Sequence, residues 1–377
     1  MSNGTPISGL ANAPFKGVRE AFAKNFADDT ELGASFAVFI DGEPVVDLLG
    51  GYCDRAGEKP WSDETLAGIY SSGKAVLAML VARAVTAGQI DYDAPVARYW
   101  PEFGGAGKEA ITVADVMSHQ AGLSGLPEEM PPETWLDWEA ICRRIEKMAP
   151  LWPPRTANGY SPQLVGFVVG ELLRRTTGRG VAQMLREDFN GEGGFDIFCA
   201  MRPEEIARAS YVKKPPSAPN LGPTNPVKEL AFQKPWSAPG KVSQEQWMAA
   251  EIPASNMHAN ARALAGIVQP LANRGRTIGG ETILSAAAID GALAERIRGD
   301  DLVLPFHLAW CAGLMRNINK HFGPSETAYG HAGFGGSCVV VDPAHRLTAA
   351  YVMNRMSPHL VGDPRSIVLL DAVYAAL

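Results

Sequence analysis

The sequence predicts an α/β protein in which one antiparallel sheet is assembled from both ends of the chain, with a mainly helical region inserted between them. Two hairpin signals and the pattern between them carry this reading. Residues 35–40 and 44–49 are β-rich runs around Asp41-Gly42, a strong turn dipeptide. Residues 337–341 and 347–353 form a second such pair around Asp342-Pro343-Ala344-His345. The middle of the chain shows helical periodicity instead. The sheet part is therefore expected from residues 1–66 and 255–377, the helical part from 67–254, and a cleft where the two meet.

Composition supports a core and excludes several functions. With 46% hydrophobic and 20% charged residues over 377 positions, the chain has the make-up of an ordinary globular protein able to bury a large interior. The 34 basic and 41 acidic residues leave a formal charge of -7 without a basic run, which argues against nucleic acid and against an anionic membrane surface. Residues 1–16 lack a cationic segment followed by an apolar core, and no apolar stretch reaches the roughly 18–20 residues of a spanning helix. The five cysteines, Cys53, Cys142, Cys199, Cys311 and Cys338, are scattered. They fit free thiols in a reducing cytoplasm, so a cytoplasmic location is expected.

Taken in order, the first hairpin leads through 50–65 into a helix over 71–87, stopped by Gly88. Its small residues Gly73, Ala75, Ala78, Ala82 and Ala84 suit a helix packed on all sides at the centre of the fold. Thr112 with Asp115 reads as a helix N-cap followed by an acidic third residue. Further helices are expected over 163–177, ended by Gly178, and over 181–189. Seven prolines within 213–239 exclude helix and central strand and suggest a wall or lid. Residues 259–273 and 367–377 are again helical in pattern.

Chemistry enters at Ser71-Ser72-Gly73-Lys74. On a helix, positions three apart share a face, so the Ser71 hydroxyl and the Lys74 amine can meet. A lysine held in a partly dry cleft can take a proton from a serine, making it a nucleophile. Tyr160-Ser161-Pro162 lies at a turn before a helix, where a phenol can project into a cleft; beside an ammonium it is expected to titrate low enough to act as a base. In His331-Ala332-Gly333-Phe334-Gly335-Gly336-Ser337 the glycines allow backbone to approach a ligand, and an amide there can donate to an oxyanion. No metal-binding histidine spacing occurs, so neither metal nor cofactor is expected. His119 reads as structural. Trp135, Trp138, Trp152, Trp236 and Trp310 are candidates for shaping a pocket.

In order and spacing, these three stretches resemble the serine β-lactamase and penicillin-binding-protein group, and more closely the family VIII carboxylesterases, relatives of class C β-lactamases. The likeness runs from about residue 15 to the C-terminus and includes 116–123, 169–175 and 351–356. It implies a serine β-lactamase-like fold, with Ser71 as nucleophile, Lys74 and Tyr160 as the proton-transfer pair, and the amides of Ser71 and Phe334 as the oxyanion hole. Gln120, Pro162, His331 and Gly333 are then expected at the substrate. Two departures matter. Pro162 replaces an asparagine that holds a substrate amide, and His331 replaces a lysine that meets a substrate carboxylate. His331 is expected to gain charge below pH 6.5. Both departures point to neutral small-molecule esters as substrates, with weak or no β-lactam hydrolysis. The alternatives are a β-lactamase or D,D-peptidase, acyl transfer to an alcohol, and, last, an inactive binding homologue.

Overall fold

The computed structural model describes residues 4–191 and 194–377, and both hairpins lie inside one nine-stranded sheet. Its strands are β1 (Ile7–Ala11), β2 (Gly33–Ile40), β3 (Glu43–Gly51), β4 (Ile297–Asp300), β5 (His307–Trp310), β6 (Met315–Arg316), β7 (Tyr329–Ala332), β8 (Cys338–Asp342) and β9 (Leu347–Met353). They are ordered β1-β3-β2-β9-β8-β7-β6-β5-β4, with each neighbouring pair antiparallel. The two ends of the chain meet at β2 and β9, where Ala37 pairs with Ala350. Asp41 and Gly42 take φ of 54° and 86°, the left-handed pair whose twist matches a tight hairpin.

Helices cover both faces of this sheet. The ones that place the site are α1 (Lys16–Ala27), α2 (Gly73–Thr86), α3 (Val113–Met117), α4 (Trp138–Lys147), α5 (Leu164–Thr177), α6 (Ala261–Ile267) and α7 (Pro364–Tyr374). Along β2, Phe36 and Val38 enter one core with Val18 and Phe22 of α1 and Leu369 and Leu370 of α7. Ala37 and Phe39 enter the other, with Val76 of α2 and Leu264 of α6. Because both faces are covered, the central strands read as unbroken apolar runs. α2 is buried nearly all round, as its small residues predict, and Gly88 follows it at φ 70°. Thr112 and Asp115 close a reciprocal cap on α3, and Gly178 ends α5 at φ 75°.

Several expectations are corrected. Ser71 lies in a 3-10 turn, Tyr70–Ser72, and the α-helix starts only at Gly73. Residues 259–273 are not one helix: His258–Ala259 bridges Ala67–Gly68 and Ile197–Phe198, and Asn260 then caps α6. The proline-rich stretch holds a helical turn, Pro226–Lys228, that continues as a π-turn, Glu229–Gln233. β1 and β4 to β6 are short, without the apolar alternation that marks strands, and they exist through pairing to neighbouring strands.

Two glycines separate strain from collision. Nothing lies within 4 Å of a Cβ built on Gly178, so Gly178→Ala should cost only its left-handed backbone, about 1 kcal/mol in urea melts, with activity unchanged. A Cβ on Gly33 would overlap the Tyr52 carbonyl, and Gly33→Ala should prevent normal folding. Equal, mild losses for the two would contradict this packing.

Candidate active site

Ser71 reaches the cleft through a strained turn. Tyr70 adopts φ 46°, unusual for a residue with a side chain, and the 3-10 turn closes with Ser72 N–H donating to Ile69 O at 3.0 Å. Ser71 is thereby left half-buried at the cavity, while Ser72 is turned into the interior, its Oγ 3.1 Å from Ser337 Oγ.

Lys74 is 2% exposed, and three oxygens surround its Nζ. It donates to Ser71 Oγ at 2.9 Å, Pro162 O at 3.0 Å and Ala254 O at 3.0 Å. Burial holds its pKa well below that of a free lysine. This geometry serves both protonation states. An ammonium donates to all three oxygens; a neutral amine donates to the two carbonyls and aims its lone pair at the Ser71 hydroxyl. A proton can therefore pass between Ser71 and Lys74 without heavy atoms moving.

Tyr160 Oη donates to Ser71 Oγ at 2.6 Å, and Lys74 Nζ lies 4.9 Å from the phenol ring centroid. The ring stacks on Trp310 at 5.9 Å. Its backbone N–H donates to Asp301 Oδ1, a buried carboxylate that also collects Asn158 Nδ2, Trp310 Nε1 and the amides of Val303 and Leu304. His119, at φ 61°, brackets the tyrosine: its carbonyl accepts from Gly159 N–H and its Nδ1 from Ser161 N–H. The second bond makes Nδ1 an acceptor, so the neutral ring carries its proton on Nε2. Burial raises the Tyr160 phenol above its ordinary pKa instead of lowering it. The expected ammonium effect fails because burial disfavours the phenolate, and the same burial disfavours the charge on Lys74.

The glycine-rich stretch forms a turn in which Gly336 N–H donates to Gly333 O at 3.1 Å and Gly335 takes φ 91°. The second residue of such a turn keeps its N–H unused. Among the described residues neither the Phe334 nor the Ser71 amide donates to a protein group. Ser337 Oγ donates to Ile69 O at 2.8 Å and so latches this turn to the segment before Ser71.

A cavity of about 470 Å³ opens on Ser71, Tyr160, Pro162, His331 and Phe334. Phe232, Leu304, Met315 and Leu360 line its walls, and none of its described lining residues is Lys, Arg, Asp or Glu. Pro219, Leu221 and Phe232 of the proline-rich stretch supply one side. Trp247 lines the cavity, whereas the five tryptophans singled out from the sequence do not. Pro162 lacks a side-chain donor, yet its carbonyl is an acceptor for Lys74.

Other expectations shift. Gln120 is not at the cavity: it is buried and donates to Ser118 Oγ at 2.8 Å, because the left-handed His119 turns the chain inward there. Gly333 is not a wall residue either; a side chain on it would overlap Ser337 Oγ and Ile69 O, so its glycine permits that latch. His331 does line the cavity, but burial pushes its pKa down to about 3. Its Nδ1 faces Ala332 O at 2.9 Å and carries the proton, leaving Nε2 a bare acceptor. Asp301 and Ser337 were not singled out from the sequence. The only trace of Ser337 was its place at the end of the glycine run, and Asp301 left none.

His331 should therefore stay neutral from pH 7 to 5. An unfolded imidazole titrates near 6.5, so the folded chain binds one proton fewer in the window between about 6.5 and 3. Stability is lost as pH falls through it. Nitrogen NMR of the ring should show a constant Nδ1–H tautomer down to pH 5; a midpoint near 6.5 would contradict the burial argument.

The chain is similar to known proteins in sequence and in fold. The sequence matches the Beta-lactamase family over residues 19–373. It is 34% identical to the esterase/β-lactamase LipL of Mycobacterium tuberculosis, over 97% of this chain and 87% of that protein. A penicillin-binding protein homolog from Caulobacter crescentus superposes with a TM-score of 0.96 at 46% identity, covering 99% of this chain and 100% of the other. A family VIII carboxylesterase superposes with a TM-score of 0.92 at 36% identity, with the same coverage. Matched over nearly its whole length in sequence and in fold, the chain belongs to the β-lactamase family.

Proposed function

We propose that this serine ester hydrolase takes small neutral carboxylic esters through an acyl-enzyme on Ser71. The observation that carries the reading is the cavity at Ser71, whose described lining offers no charged side chain to a substrate. A β-lactam brings a carboxylate into such a site. Here the nearest imidazole, His331, is neutral and presents a lone pair, which repels a carboxylate instead of binding it. A neutral ester meets no such obstacle, and the names of the relatives, an esterase/β-lactamase and a carboxylesterase, support that chemistry.

In this reading Ser71 Oγ attacks the ester carbonyl carbon while its proton moves to Lys74 Nζ, the depressed amine at 2.9 Å. The carbonyl oxygen becomes an oxyanion taken by the Ser71 and Phe334 amides, which are unengaged in the free protein. When the C–O bond breaks, the Tyr160 phenol protonates the leaving alkoxide, and the Lys74 ammonium returns a proton to the phenolate. Water then attacks the acyl-enzyme, giving its proton to the same pair, and Ser71 recovers its hydroxyl hydrogen.

Ser71→Ala should lower activity by about 10³-fold or more, leaving only binding and the oxyanion hole. A phosphonate should label one residue, Ser71; an adduct at Ser124 or Ser337 would refute the nucleophile. Lys74→Ala and Tyr160→Phe should each cost about 10²–10⁴ in kcat, and the double variant far less than their product, because the two share one proton. Multiplicative losses would mean independent roles. For specificity, two missing polar contacts at roughly 1–3 kcal/mol each imply kcat/KM for p-nitrophenyl butyrate at least about 100-fold above that for nitrocefin. With His331 neutral, nitrocefin turnover should not rise between pH 6.5 and 5. Equal efficiency on both substrates would favour the β-lactamase reading.

A further inference from the structure

Behind the glycine turn lies a buried charged cluster with no part in the steps above. Arg365, with its side chain 7% exposed, sits at the start of α7. Its Nη2 donates to Gly335 O at 3.0 Å, and Ser357 N–H donates to the same carbonyl at 2.9 Å. Its Nε and Nη2 fork onto the two oxygens of Asp363 at 3.0 and 2.8 Å. Its Nη1 reaches Glu31 Oε2 at 3.1 Å and Arg355 O at 2.7 Å. Asp363 also accepts from Ser357 Oγ, and Glu31 from the Tyr351 hydroxyl. The turn rests directly on this cluster: a Cβ on Gly336 would overlap Asp363 Oδ2.

We propose that Arg365 and Asp363 are positioning residues for the Phe334 amide, holding the glycine turn from behind so that this N–H meets the oxyanion. The proposal rests on the reading of that amide as an oxyanion donor. Gly335 and Gly336 give the turn the loosest backbone available, with φ of 91° and 123°. Ser337 anchors the turn at its far end through Ile69, which leaves the Gly335–Gly336 peptide one bond inside the turn, Gly336 N–H to Gly333 O at 3.1 Å, and freedom to tilt about it. Arg365 and Ser357 remove this freedom by occupying both lone pairs of the Gly335 carbonyl. A buried ion pair contributes little net stability compared with apolar packing, so its value here is the geometry it imposes. Burial pushes the Glu31 carboxyl up to about 8, which keeps the cluster near neutral around pH 7 with Arg365 committed to Asp363 and the turn.

The test compares Arg365→Lys, which keeps the charge but loses the fork, with the milder Ser357→Ala, which keeps the backbone bond to Gly335. Each is assayed with p-nitrophenyl butyrate and with phenylboronic acid, whose tetrahedral adduct on Ser71 places an oxygen in the oxyanion hole. Arg365→Lys should lower kcat by about tenfold or more, change KM less than about threefold, and weaken boronate inhibition in proportion to kcat. Ser357→Ala should show the same split at about two- to fivefold, and it decides the matter if Arg365→Lys does not fold. Unchanged kcat in a folded variant, or a loss confined to KM, would overturn the proposal. If boronate failed to inhibit the wild-type protein, or Ser71→Ala kept its activity, the underlying function would fall. If both behave as expected and the variants keep kcat, only the positioning role falls.

Discussion

The site depends on one buried amine with three acceptors. Lys74 can be kept dry and still fully bonded only because Pro162 O and Ala254 O converge on it from two separate segments. That convergence requires α5 to press against Ala254, which it does at Gly166, where any side chain would collide with the Ala254 backbone. A packing detail between a helix and a loop thus sets the state of a proton. The same dryness acts on the neighbours: it keeps the phenol of Tyr160 protonated and the imidazole of His331 neutral. One low-dielectric pocket therefore separates a proton acceptor from a proton donor across a single serine oxygen.

Around this centre, the positioning groups come from regions distant in sequence. Asp301 holds the tyrosine by its own N–H, His119 holds the residues on either side of it, and Trp310 stacks on its ring. Ser337 joins the glycine turn to the turn that carries Ser71, so the Phe334 and Ser71 amides are carried by two linked segments. The sheet makes this possible, since β7 and β8 bring the turn to the end of α2 while β9 pairs with β2 to close the fold. No helix among the described residues is long and apolar enough to cross a membrane.

Residues that act through side chains of distinctive chemistry were legible in the sequence, and residues that act through backbone or environment were not. Ser71, Lys74 and Tyr160 stand out by type and spacing, and the structure brings Lys74 Nζ and Tyr160 Oη each within hydrogen-bonding distance of Ser71 Oγ. Pro162 seemed to offer nothing because its side chain has no donor; its carbonyl is what is used. Gln120 seemed suited to a cleft by type, but a left-handed backbone one residue earlier sends it inward. Trp247 was passed over because a tryptophan at a wall and one in a core look alike in sequence.

By itself the sequence determined the class of the fold, the central hairpins, the buried helix, the helix caps and the three chemical stretches. Each of these depends on local periodicity, turn chemistry or the spacing of a few residues. Tertiary structure alone decided the short strands, the identity of the cavity walls and the protonation states. A strand such as β1 is stabilised by a partner well along the chain, with Ile7 facing Gly50, and a pKa is set by how much water the rest of the molecule removes. His331 shows the difference most directly. Its position was visible in the sequence, but its charge was fixed by burial that only the assembled fold creates.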